Sequence, residues 1–289
     1  MGFWFCTLIA LASTVVALAR PQKNVSVSLS GSVDVIFIQD GSASMRVRDV
    51  RPHRWGRSLE FMRNFARALP WRGDRVGLAA FSSYAAPQIR FTRDPNVLMF
   101  FLGALGNEPP FELWNNLTWD TNLEEGILWG MRLVDHDKKL RESKNPKAMV
   151  LISDGQVWSG SVAAAVAQAY KAHIPLYVVG VGTLGGGIIP ISKEDQKNAP
   201  VGDPIPTNIH SALDSSVLRQ IALHGGGKYF EVGGRSDGSI AVEIISDVKR
   251  HGTNISKEMA FQDVYWPFLV VALVALVGAA MFWPSAYRA

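Results

Sequence analysis

The segment Asp40-Gly41-Ser42-Ala43-Ser44 follows the almost wholly apolar run Val33 to Ile38. Ending such a run on an acid and two hydroxyls spaced by two sets up a particular chemistry. If the chain stays extended, side chains 40, 42 and 44 face one way, because they alternate along a strand. A second acid, Asp154, closes the apolar run KAMVLISD, and Thr121 opens the segment TNLEEGILWGMRLV. In open α/β sheets, ligands bind beyond the carboxyl ends of the strands, where strand order reverses. Asp40, Ser42, Ser44, Thr121 and Asp154 all fall at that rim, so two carboxylates and three hydroxyls can converge. An all-oxygen set without His or Cys suits a hard divalent cation, Mg²⁺ with Mn²⁺ or Ca²⁺ as alternatives, and not zinc. Singly, each piece has an ordinary explanation. Asp, Gly and Ser form turns after strands, and Thr121 with Glu124 fits a T-x-x-E capping box. Their joint placement at three rim positions favours the cation.

The elements that must hold these residues alternate between short apolar runs and amphipathic segments. VDVIFI, RVGLAAFS, KAMVLISD, IPLYVVGVG and KYFEV read as strands, and PQIRFT as a shorter one near a sheet edge. Helical spacing of Leu59, Met62, Phe65 and Ala66, and of Leu123, Ile127, Met131 and Val134, predicts helices between them. Further helices are expected at 96–105, across SVAAAVAQAYKAH, at 214–223 and toward Arg250. The polar stretch before residue 214 is long enough to be functional or to carry its own small hairpin. Strands apolar on both faces and alternating with helices imply a doubly wound, mostly parallel α/β sheet over residues 30–250.

The chain of 289 residues is 48% apolar and 19% charged, so a full core is within reach. Its net charge of +4 is mild, and no Lys/Arg cluster interleaves with aromatics, so no nucleic-acid partner is expected. Cys6 is the sole cysteine and excludes an internal disulfide. From Val264 to Tyr287 there is no charge, and aromatics flank the run, which predicts a transmembrane helix over 264–284. Residues 1–20 end in Ala17-Leu18-Ala19 and read as a signal peptide or a first transmembrane segment. Either reading implies export of the intervening domain.

These residues carry a resemblance. DGSAS (Asp40, Ser42, Ser44), Thr121 and Asp154 match the D-x-S-x-S, Thr and Asp pattern of the von Willebrand factor type A (VWA) domain, where it forms a metal-ion-dependent adhesion site. GDRVGLAAFSSYA, VVGVGT, LRQIALHGGGKYFEV and DVYWPFLVVALV resemble membrane-anchored bacterial members, the Bat (aerotolerance) proteins and those of methanol-oxidation gene clusters. The resemblance implies a Rossmann-like fold, Mg²⁺ as the usual ion and no enzymatic activity. It also implies hydroxyl ligands from Ser42, Ser44 and Thr121, with Asp40 and Asp154 holding waters. A protein partner's Asp or Glu would complete the shell. It further implies an inner-membrane location with the domain in the periplasm. Other VWA membrane proteins and a MoxR-type AAA+ ATPase are the expected companions, in assembly or maturation of an envelope complex. Two departures stand out: Ala43 where many members have glycine, and Asp120 before Thr121 where many have glycine.

Rival chemistries fit less well. GVGTLG (Gly180 to Gly185) is a formal G-x-G-x-x-G, but two more glycines and Pro190 follow where a helix should open. The alternative function is a Mg²⁺-dependent phosphatase with Asp40 as nucleophile. Its general acid, expected two residues on, is replaced by Ser42. The insertion GNEPPFELWNNLTWD leads straight into Thr121, so Phe111, Trp114 and Trp119 are candidates for an aromatic partner-binding rim.

Overall fold

The computed structural model describes residues 2–29, 31–106, 108–113, 119–157, 160–200, 204–251 and 256–281. The chain opens with helix α1 (Gly2–Leu18) and strand β1 (Gln22–Leu29). Strand β2 (Asp34–Asp40) runs into a 3-10 turn at Ala43–Arg46, followed by α2 (Arg54–Ala68), β3 (Arg75–Phe81), β4 (Ala85–Thr92) and α3 (Pro95–Ala104). Next come α4 (Leu123–His136), α5 (Lys138–Arg141), β5 (Lys147–Ser153), α6 (Val162–Lys171) and β6 (Leu176–Gly180). The long loop carries β7 (Gly187–Ile188), α7 (Lys193–Asn198) and β8 (His210–Ser211). The chain closes with α8 (Ser215–His224), β9 (Gly226–Glu231), α9 (Asp237–His251), β10 (Ser256–Asp263) and α10 (Trp266–Met281).

Two units result. Residues 30–254 form the central domain, and the chain's two ends form the other. The central sheet has the order β4-β3-β2-β5-β6-β9. Only β4 runs antiparallel; the other neighbours are parallel. Parallel strands need covering on both faces, and the sequence supplies this by alternation. Val35, Phe37, Val150 and Ile152 point into one buried cluster with Trp55, Phe65 and Ile244 from α2 and α9. Ile36, Ile38, Met149 and Leu151 point into the other, with Ile127, Val166 and Leu218 from α4, α6 and α8. Edge strand β4 contains Pro87, exposes Arg90, and breaks register with β3 twice. The decoy GVGTLG leaves β6 as a loop that leads to the β7–β8 hairpin and not to a helix.

The chain from 2 to 29 and from 256 to 281 forms an antiparallel ladder, β1 with β10, in register from Gln22↔Asp263 to Leu29↔Ser256. Helices α1 and α10 pack against each other in the same unit. Here the expected transmembrane helix over 264–284 is corrected. Helix α10 has 16 residues and α1 has 17, so at about 1.5 Å per residue each reaches about 25 Å, against a hydrocarbon core of about 30 Å. Among the described residues, no helix is long and apolar enough to cross a membrane. Residues 282–284 of the expected span lie outside the described residues.

Candidate metal centre

The centre forms where strand order reverses. From β2 the chain passes to β3 on one side, while β5 pairs with β2 on the other. Asp40 is the last residue of β2, opposite Phe81 of β3, and Asp154 follows β5 directly. Both carboxylates are fully buried, and Ser42, Ser44 and Thr121 are each 5% exposed or less.

Beyond Asp40 the chain is not extended through Ser44 as the spacing suggested. Asp40 Oδ1 accepts from the Ser42 amide at 2.9 Å, and the Met45 amide then closes on Ser42 O at 3.0 Å. That turn starts the 3-10 segment and brings Ser42 Oγ and Ser44 Oγ to 3.0 Å. Alternate residues of a straight strand would stand about 7 Å apart. Gly41 permits the tight path, because a Cβ there would lie 2.6 Å from the Phe111 ring. Thr121 reaches the rim because the next residue's amide, on Asn122, donates to Ser82 O at 2.8 Å, just past the end of β3. The capping-box account of Thr121 does not hold. Asn122 is the N-cap of α4, its side chain accepting from the Glu125 amide, while Glu124 binds the Ser161 amide.

The electrostatics disfavour ionising Asp40 beside Asp154. Burial, and next the charge of Asp154, push the Asp40 carboxyl up to about 7, against hydrogen bonds that favour the ion. One of those comes from Ser153, whose hydroxyl donates to Asp40 Oδ2 at 2.6 Å. The donors fit a hard divalent cation. Oxygens 3.0 Å apart match neighbouring ligands of an octahedron with bonds of 2.0–2.1 Å, which stand about 2.9 Å apart. Among the described residues no three His, Cys, Asp or Glu side chains gather into a metal site, so the hydroxyls are indispensable to this one.

Three participants carried no sequence signal that was read. Arg54, at the start of α2, is fully buried and donates to Asp154 Oδ2 at 2.6 Å and to Ser211 Oγ at 2.7 Å. Its Nε and Nη2 fork onto the two oxygens of Asp49 at 3.0 and 2.8 Å. Burial alone would raise Asp49, but the Arg54 fork and the Thr183 amide outweigh it and hold the carboxyl below its usual range. Ser211, from the β7–β8 hairpin, also donates to Asp154 Oδ2 at 3.2 Å. Of the expected rim, Phe111 is only 7% exposed, filling the slot that Gly41 leaves, with Tyr84 edge-on at 5.3 Å. Trp119 is half-buried and donates to Leu113 O at 2.8 Å; Trp114 lies outside the described residues.

The family model for the von Willebrand factor type A domain matches residues 34–233. The chain belongs to the von Willebrand factor type A family. An uncharacterized protein of Borreliella burgdorferi is 24% identical to it over 284 residues, covering 96% of this chain and 77% of that one. Among solved structures, the VWA domain is similar to an aerotolerance-related membrane protein from Bacteroides fragilis. That match has 24% identity and a TM-score of 0.59, over 76% of this chain and all of the other. BatB from Bacteroides thetaiotaomicron matches equally, at 23% identity and a TM-score of 0.59 over the same shares. These matches agree with the Bat-type resemblance read from the sequence. The manganese-loaded TRAP protein of Plasmodium vivax matches at 14% identity and a TM-score of 0.52, over 84% of this chain and 79% of that one. At these identities the structures show the fold that the VWA domain shares.

Proposed function

We propose that this VWA domain is a binding module that captures a protein partner through a divalent cation, Mg²⁺ or Mn²⁺, held by Ser42, Ser44 and Thr121. The observation that carries this reading is the burial of Asp40 beside Asp154, which drives the Asp40 carboxyl up to about 7, together with two hydroxyl oxygens 3.0 Å apart. A bound cation supplies a positive centre that a partner's Asp or Glu can ligate. The chain's own residues would hold it: the Ser42, Ser44 and Thr121 hydroxyls would serve as ligands, and Asp40 and Asp154 would orient its waters. The manganese carried by the TRAP relative supports the choice of ion class.

Trp119, half-buried against the cluster of Ala43, Val47 and Leu113, is the apolar rim residue of the proposal. Action in the periplasm at the inner membrane, in assembly of an envelope complex with a MoxR-type ATPase, belongs to the same proposal. Fractionation with protease protection of the native chain tests the location. The central test is capture of partners from cell extract by the native chain, in Mg²⁺ and in EDTA, beside Ser42→Ala. Capture that needs the cation and fails with Ser42→Ala is expected; capture indifferent to both overturns the proposal. The phosphatase alternative predicts Mg²⁺-dependent hydrolysis of a phosphate ester, and such turnover would replace the binding reading.

A further inference from the structure

We infer that Arg54 is a positioning residue of the cation site, a built-in counter-charge beside Asp154 that sets how tightly the site as a whole holds a divalent ion. The inference rests on the cation-binding reading above. A guanidinium with no exposed surface needs partners on every side, and Arg54 has them. Nη1 serves Asp154, Ser211 Oγ and, at 3.5 Å, Ser44 O; Nη2 serves Asp49 and Ser211 O; Nε serves Asp49. The cradle is shaped for it. Gly182, at φ +132°, stands where a Cβ would come within 2.8 Å of Arg54 Nε.

Two consequences bear on the ion. The first is geometric. Asp154 Oδ2 already accepts from Arg54 and Ser211, while among the described residues Oδ1 accepts from the Gln156 amide at 3.2 Å. The carboxylate therefore cannot clasp a cation with both oxygens while Arg54 is in place. The second is electrostatic. A fixed positive charge bonded to a candidate ligand repels an arriving divalent ion, and the low dielectric of a buried site strengthens that repulsion. Asp49 moderates it, because its carboxylate shares the guanidinium through two bonds. Arg54 and Asp49 thus act on the cation with opposite signs. A cation held loosely by the chain alone gains most from the partner's carboxylate, so Arg54 makes retention of the ion depend on the partner.

The test is Mn²⁺ affinity of the whole chain, read by electron paramagnetic resonance of free Mn²⁺ at pH 7.5, with the metal-free melting temperature recorded for each variant. Arg54→Gln should bind Mn²⁺ at least 10-fold more tightly, and Asp49→Asn at least 3-fold more weakly, although both lower the metal-free melting temperature. Arg54→Lys, which restores charge without the fork, should return affinity toward the native value. A merely structural arginine would not move affinity in opposite directions. Arg54→Gln binding Mn²⁺ equally or more weakly overturns the inference. Should Arg54→Gln not fold, Asp49→Asn decides alone, and unchanged or tighter binding overturns it. Native chain that binds no Mn²⁺ refutes the cation reading itself. Native binding indifferent to these variants refutes only the role of Arg54.

Discussion

Replacing Asp40 by Asn separates the cost of the site from its use. The Asp40 carboxyl is fully buried and raised from 3.8 to about 7, so three units at about 1.36 kcal/mol each put a ceiling of about 4 kcal/mol on the penalty of ionising it. The folded state binds this proton more tightly than the unfolded chain. Its contribution to stability is therefore complete below pH about 4, declines as pH rises toward 7, and is gone above that. Asparagine removes the titration and keeps the shape. Its Oδ1 can still accept from the Ser42 amide, and Ser153 Oγ can turn from donor to acceptor toward the new amide. Local relaxation leaves roughly 1–2 kcal/mol of the ceiling, and in a domain of this size each kcal/mol moves Tm by about 2–4 °C. In EDTA at pH 8, Asp40→Asn should melt about 2–8 °C above the native protein. At pH 4.5 the two should melt within about 1 °C. Saturating Mn²⁺ should raise the native Tm and leave that of the variant in place. Calorimetry at both pH values, with and without Mn²⁺, reads all three. A variant less stable than native at pH 8, or one that Mn²⁺ still stabilises, would refute the reasoning.

Two further expectations concern the scaffold. Gly41→Ala forces a methyl against the Phe111 ring, 2.6 Å away, and should cost about 1–3 kcal/mol in denaturant unfolding and weaken Mn²⁺ binding. Unchanged stability would mean that Phe111 is free to leave its slot. Tyr177 donates to Asp247 Oδ2 at 2.9 Å beneath α9, so Tyr177→Phe should cost about 1.5–3 kcal/mol at neutral pH, with Mn²⁺ affinity unaltered.

The strands that build the metal centre were legible because each is apolar on both faces. Short apolar runs containing β-branched residues, such as Val35 to Ile38 or Ala148 to Ile152, bounded by turn residues, suit a sheet covered on both faces. Whether the path from Asp40 to Ser44 stays extended is open in the sequence, since turn chemistry decides it locally: the Asp40 carboxylate on the Ser42 amide, and a glycine with no room for a side chain. Strands β1 and β10 went unread, for their pairing joins residues more than two hundred apart and neither is apolar throughout. The C-terminal apolar run was read as a membrane span from composition alone, whereas among the described residues no helix is long and apolar enough to cross a membrane. Arg54 looked like one charge on an amphipathic helix. A hint was present, however: a cation in the first turn opposes the helix dipole and so calls for a strong anionic partner. Which anions supply it, Asp49 and Asp154, is a matter of tertiary approach that linear spacing does not encode.

Edge strand β4 resists pairing with a further strand. A proline without an amide hydrogen, a jutting arginine and two slips of register leave that flank with no even row of donors and acceptors to offer. Neighbouring molecules cannot zip onto it and lengthen the sheet. Copies of this protein that associate must therefore do so through some other face than this edge.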